Sequence, residues 1–160
     1  MNRTFFREAR YAFHAPYVTL ALLALLALVA CHRSKPSPLD EACVLNAVRA
    51  NVQAMGARNL AGVMETIHPD SPNYAATQQV MEELLANYTL RCKLENAKVV
   101  SVEQDEAQVS FVQTTEKVSG EMPFDDNRVE GIHLLKKHDG VWKIYSSHVT
   151  KSEFLKKTNL

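Results

Sequence analysis

The chain has 160 residues, with 18 Lys and Arg against 18 Asp and Glu and no formal net charge. That length holds one domain of ordinary size, and a neutral chain lacks the positive field that a general nucleic-acid binder uses. With 46% hydrophobic residues, 22% charged residues and only three Cys, it is neither a disordered chain, a multi-pass membrane protein nor a disulfide-dense scaffold.

Residues 1–30 read as an address. Arg3, Arg7 and Arg10 stand against the single acid Glu8, and the run from Val18 to Ala30 carries no charge. A basic start followed by a short apolar core is the pattern of a secretory signal, and the run is short for a spanning helix, which needs about 20 residues. Its end, Leu28-Val29-Ala30-Cys31, resembles a bacterial lipobox. Ala30 suits an ordinary cleavage site but Leu28 is too large for one, whereas a lipobox takes a Leu there. The resemblance implies a lipoprotein whose Cys31 is diacylated after cleavage, the acyl chains (palmitate among them) holding it to a membrane. His32 stands where an Asp would mark inner-membrane retention, so the expected location is the bacterial cell envelope, lipid-anchored at the outer membrane and facing the periplasm. Removing residues 1–30 leaves 15 basic residues against 17 acids, a net of −2, so nucleic acid is not an expected partner.

Residues 31–39 form a lipidated tether, polar and carrying two prolines. A first helix is expected from Asp40, its N-cap, to Gly56, with Val44, Leu45, Val48, Val52 and Met55 at helical spacing. Asn59 caps a second, shorter helix with Leu60, Val63, Met64 and Ile67 inward. The turn cluster His68–Asn73 leads to a third helix, Tyr74–Tyr88, with Val80, Met81, Leu84, Leu85 and Tyr88 inward. From Thr89 the period changes to two. Strands are expected over Thr89–Val102, with a bulge near Asn96, then Ala107–Lys117, Arg128–Lys137 and Val141–Val149. The turn before the last strand carries the hairpin signal Asp139-Gly140. Helices first and an antiparallel meander after them predict an α+β fold. Residues 40–150 are the domain and residues 151–160 a C-terminal tail, read as a short closing helix or a frayed end.

Three stretches carry a family resemblance: Asn46–Asn51, Val63–Tyr74, and Asn127–Ile144 with its Asp-Gly turn and Trp142-x-Ile144. On these residues the chain is similar to the nuclear transport factor 2-like superfamily, with its ketosteroid isomerase-like and SnoaL-like families. The resemblance implies a cone-shaped fold in which three helices pack on a curved four-strand antiparallel sheet around a pocket. It also implies a possible homodimer through the sheet face. It does not bring a catalytic pattern, because residues 40–60 hold no Tyr and the family's paired acids match no positions here. The candidate bases are His148, sharing a strand face with Trp142, Ile144 and Ser146, and Glu130, if it points inward. Tyr74, Tyr88, Phe111, Gln113 and Trp142 are candidates for lining the pocket, the alternative being plain core. No spacing suits a metal and no glycine-rich loop suits a phosphate, so no cofactor is expected. In an oxidising compartment Cys43 and Cys92, on a helix and a strand that pack together in the implied fold, form a disulfide or remain two buried thiols.

Two functions follow. The favoured one is a lipid-anchored, non-enzymatic domain that binds a small molecule or an envelope protein, as an accessory or immunity-type subunit. The alternative is a small-molecule enzyme of the isomerase, cyclase or dehydratase kind with His148 or Glu130 as base.

Overall fold

The computed structural model of the chain describes residues 38–155. The expected signal segment (residues 1–30), Cys31 and the expected tether up to residue 37 lie outside the described residues. The order of elements is α1 (Pro38–Gly56), α2 (Leu60–Glu65), α3 (Tyr74–Asn87), β1 (Thr89–Glu103), β2 (Glu106–Ser119), β3 (Asn127–His138) and β4 (Val141–Phe154).

α1 starts at Pro38, two residues before the expected N-cap. Proline suits a first turn, where no intrahelical N–H bond is lost. Asp40 and Glu41 therefore lie in the first turn, where the helix dipole favours acids. Val44, Val48 and Val52 are the buried stripe, spaced four apart so that they fall on one face. The chain reverses through Arg58 at φ 55. The Arg58 side chain then donates to the carbonyls of Leu85 at 2.9 Å and Ala86 at 3.3 Å, carbonyls that the last turn of α3 leaves unpaired. Asn59 caps α2, its Oδ1 accepting from the Gly62 N–H at 3.0 Å. α3 buries only Leu85. Val80, expected inward, is 56% exposed.

The four strands form one antiparallel sheet in the order β1-β2-β3-β4. Register breaks fall at Leu94/Asn96 and Val99/Ser101 on β1. On β4 they fall opposite Leu134/Leu135 and Glu130/Gly131, and bulges of this kind bend and twist a sheet. The inner face is set by the pairs Val99↔Val109, Phe111↔Gly131 and Leu135↔Ile144. With Val44, Val48, Met64, Ile67 and Trp142 this face forms the core. The edge of β4 is covered at one point by the segment after α2: the His68 N–H donates to the Ile144 carbonyl at 2.9 Å and the Ile144 N–H to the Thr66 carbonyl at 2.8 Å. β4 runs to Phe154, with Glu153 paired to Arg128. Residues 151–154, expected in the tail, are therefore strand and not helix.

The expected disulfide is not formed: Cys43 is an exposed free thiol and Cys92 a half-buried one. The reason is length along α1. Cys92 lies beside Gly56, at the C-terminal end of the helix. Cys43 stands thirteen residues earlier, about 20 Å along the axis at 1.5 Å per residue, and a disulfide needs its Cα atoms within about 7 Å. Burial pushes the Cys92 thiol up, against a smaller lowering by its bond with Thr115.

Candidate functional site

A cavity of about 190 Å³ opens between the helices and the second half of the sheet. Asn51 and Met55 of α1 and Val63 of α2 line one side. Ser71, Asn73, Thr77 and Met81, around the start of α3, line another. His133 of β3 and Ile144–Ser147 of β4 close it. Among the described residues the lining includes no Asp, Glu, Lys or Arg.

His133 is the centre of this wall. The residue is 9% exposed because β3 turns Gly131, His133 and Leu135 to the inner face. The imidazole stacks flat on Phe111, with centroids 4.0 Å apart and planes 6° from parallel. Gly131 permits that stacking: a Cβ there would lie 2.9 Å from the Phe111 ring and 2.5 Å from the His148 carbonyl. His133 Nδ1 is 2.7 Å from Ser147 Oγ. Burial pushes its pKa down to about 4, so the ring is neutral at pH 7, with one nitrogen a donor and the other an acceptor. On α1, the Asn51 amide donates to Thr66 Oγ1 at 2.7 Å, and that hydroxyl donates to the Val63 carbonyl at 2.6 Å. This chain fixes Asn51 in the wall. Tyr145 is held on the other flank, edge-on to His68 with centroids 5.5 Å apart and with Lys136 Nζ 4.2 Å from its ring centre. His68 itself is pinned locally, its Nδ1 accepting from the Asp70 N–H at 3.1 Å.

The expected site residues lie elsewhere. β4 gains one residue at Tyr145, since Leu134 pairs with Ser146 but Leu135 with Ile144. A one-residue bulge reverses the alternation. Ser147, paired with His133, turns inward, and His148, paired with Ile132, falls on the outer face, exposed. Glu130 shares that outer face. Arg128 donates to Glu130 at 2.6 Å and to Glu95 at 2.9 Å, with Thr114 adding a bond to Glu95 at 2.7 Å. The Thr114 hydroxyl, and after it Arg128, hold the Glu95 carboxyl below its usual range. Neither expected base lines the cavity. Nor do the five expected lining residues. Trp142 is buried core under Lys137 Nζ, 4.8 Å from its ring centre, and Tyr74 packs against the same core. The Tyr88 hydroxyl donates to the Pro123 carbonyl at 3.1 Å, and the Gln113 amide donates to Thr115 Oγ1 at 3.3 Å. Phe111 backs the cavity through His133. Of the polar residues in its wall, Asn51, Thr77, His133 and Ser147 among them, His133 carried a signal in the sequence, since it alternates with Leu135 on a strand.

Among the described residues no three His, Cys, Asp or Glu side chains converge as a metal site, and no helix is long and apolar enough to cross a membrane. A buried imidazole with a pKa near 4 is a weak base at neutral pH, and no carboxylate orients it toward Ser147 as a nucleophile–base pair requires. What the arrangement does offer is an uncharged, partly polar cavity closed on one side by a rigid aromatic stack.

The family pattern of the anti-sigma-I factor RsgI9 C-terminal domain matches residues 46–155. The chain belongs to this family. RsgI9 of Acetivibrio thermocellus is 37% identical over 75 residues, 47% of this chain and 10% of that protein, so the chain spans about a tenth of the length of this relative. Among solved structures, a cystatin-like-fold protein of unknown function from Nostoc punctiforme superposes with a TM-score of 0.57 at 13% identity, over 72% of this chain and 92% of that one. A ketosteroid isomerase-like protein from Erwinia carotovora atroseptica gives 0.53 at 16% identity, over 72% and 99%. A nuclear transport factor 2-like protein from Shewanella oneidensis gives 0.51 at 14%, over 71% and 98%. These likenesses show the fold: three helices against a four-strand antiparallel sheet, the nuclear transport factor 2-like cone. The family also corrects the expected location. The domain shared with the anti-sigma-I factor RsgI9 speaks against the outer-membrane, periplasm-facing placement, which is withdrawn.

Proposed function

We propose that residues 38–155 are a non-enzymatic binding module, the part of an anti-sigma-factor-type regulator that receives a small uncharged molecule. The observation that carries this reading is the cavity of about 190 Å³ with, among the described residues, no Asp, Glu, Lys or Arg in its lining and with a neutral imidazole at its wall. A concave, mostly apolar site with a few fixed polar groups is what small-molecule recognition uses, and a fold shared by enzymes and binding proteins assigns neither role by itself. Attachment to a membrane through an acylated Cys31 belongs to the same proposal. It rests on Leu28–Cys31 alone, and the intact mass of the purified full chain tests it.

The test of binding is a screen of small neutral compounds against the ¹⁵N-labelled full chain. Binding shifts the backbone amides of Asn51, Thr77 and Ser147, and the compound is recovered unchanged. Chemical turnover of a bound compound, or a screen in which those three amides never move, overturns the reading.

A further inference from the structure

His133, the most deeply buried polar side chain of the cavity wall, keeps one ring nitrogen unspent. Among the described residues every buried side-chain nitrogen and oxygen has a hydrogen-bond partner. His133 uses Nδ1 on Ser147, and among the described residues no bond engages its Nε2. His133 is nine-tenths buried, and an unbonded Nε2 outside the class of sealed, unpaired atoms keeps some exposure; the cavity that His133 lines is the open space beside the ring. Phe111 covers a face of the ring and Ser147 takes one edge, so the free edge is the part left to a ligand.

We propose, on the basis of the binding reading above, that His133 Nε2 is the specificity-determining contact of the cavity and that the site takes an uncharged, single-ring molecule bearing a carbonyl or a hydroxyl. Three observations fix the class. The first is size: an apolar cavity of about 150 Å³ admits benzene, so about 190 Å³ holds one six-membered ring and one or two further atoms. The second is charge. A charged ligand would lose its hydration and find, among the described residues, no Asp, Glu, Lys or Arg in the lining to replace it. The third is the pairing of His133 with Ser147. A neutral imidazole has one donor and one acceptor nitrogen, and a serine hydroxyl plays either part. When the Ser147 hydroxyl donates to Nδ1, Nε2–H donates to a ligand carbonyl. When Nδ1–H donates to Ser147, Nε2 accepts from a ligand hydroxyl. Rotation of one hydroxyl thus lets the same edge read either group, while a ring with neither leaves Nε2 unpaired at the cost of a buried polar group.

The experiment titrates the full chain with toluene, cyclohexanone, phenol and benzoate by ligand-observed NMR, and follows the His133 ring nitrogens in a long-range ¹H–¹⁵N spectrum. Cyclohexanone and phenol move the Nε2 resonance, toluene binds without that movement, and benzoate binds at least about tenfold more weakly than phenol. His133→Phe keeps an aromatic ring on Phe111 and removes the hydrogen bond. It weakens cyclohexanone and phenol about tenfold, the size of one such bond, and leaves toluene within about twofold. If toluene binds but Nε2 is unmoved by cyclohexanone and phenol, the inference falls and the binding reading stands. The same holds if benzoate matches phenol, or if His133→Phe changes nothing. If none of the four probes binds, the binding reading falls as well. Should His133→Phe fail to fold, the ring-nitrogen shifts of the unaltered chain decide alone.

Discussion

The buried neutral histidine makes the fold acid-sensitive in a definite window. His133 titrates near 4 in the folded chain against an ordinary 6.5. Between those values the unfolded chain binds a proton at this position and the folded chain does not, so falling pH favours unfolding. Stability is therefore highest above pH 6.5, declines through the window, and is fully reduced below pH 4. A difference of about 2.5 units at 1.36 kcal/mol each corresponds to about 3 kcal/mol, with a slope approaching 1.4 kcal/mol per pH unit. That is a large share of the 5–15 kcal/mol typical of a domain. The assay is urea unfolding at pH 7.5, 6.5, 5.5 and 4.5 for the native chain and for His133→Phe, alongside an NMR titration of the His133 ring. The variant shows a flatter profile between pH 4.5 and 6.5. Equal slopes in the two proteins, or a His133 midpoint near 6.5, refute the reasoning.

Other positions follow from packing and capping. Leu135 is fully buried, so Leu135→Ala removes about 2–5 kcal/mol in urea unfolding, and a loss under about 1 kcal/mol would mean the site collapses around the deletion. Asn59→Ala removes the cap of α2 and about 1 kcal/mol, whereas Asn59→Asp stays within a few tenths; equal losses in both variants would exclude the capping bond as the cause. Gly131→Ala drives a methyl against the His148 carbonyl and the Phe111 ring. Overpacking of this kind costs roughly 1–3 kcal/mol, and a neutral result in thermal unfolding would show that β4 gives way. Maleimide labelling with peptide mapping finds Cys43 reacting roughly tenfold or more faster than Cys92, whose thiol is half-buried and raised. A crosslinked Cys43–Cys92 peptide from air-oxidised protein would contradict the separation along α1.

The fold was largely legible because its elements obey local rules. The four-residue spacing of Val44, Val48 and Val52 allows only one buried helix face. The alternation of Ala107, Val109 and Phe111 sets the inner face of β2, and Asp139-Gly140 places the final hairpin. The bulge near Asn96 could also be placed, since the alternation through Leu94 fails to continue. The site was illegible for two reasons. Its lining comes from all three helices, the turn before α3 and two strands, and each polar member (Asn51, Thr77, Ser147) looks by itself like an ordinary surface residue. And β4 contains no Gly, Pro or Asn near Tyr145 to announce an extra residue. Alternation carried past Tyr145 without interruption therefore puts His148 inside and Ser147 outside, the reverse of what the pairing shows.

That extra residue at Tyr145 is what joins the fold to the site. Trp142 and Ile144 must face the core, and strict alternation from them would turn Ser146 and His148 toward the cavity. The insertion instead brings Ser147 opposite His133, within 2.7 Å of Nδ1. The consequences are electrostatic as well as geometric. With a second imidazole inside, two titratable rings would share a small cavity and protonation of one would raise the cost of the other. With a serine there, the single ring has a partner that can accept or donate, and it stays neutral without being orphaned. Tyr145, freed from the alternation, lies between the His68 ring and the Lys136 ammonium and walls the cavity from the side. The edge bond between Ile144 and the segment Thr66–His68 anchors the strand immediately before the bulge, so the reversal occurs at a fixed point. Loss of that one extra residue would leave the Leu135↔Ile144 pair on the inner face while turning Ser147 away from His133, which ties the pairing of the cavity's imidazole to the bulge in β4.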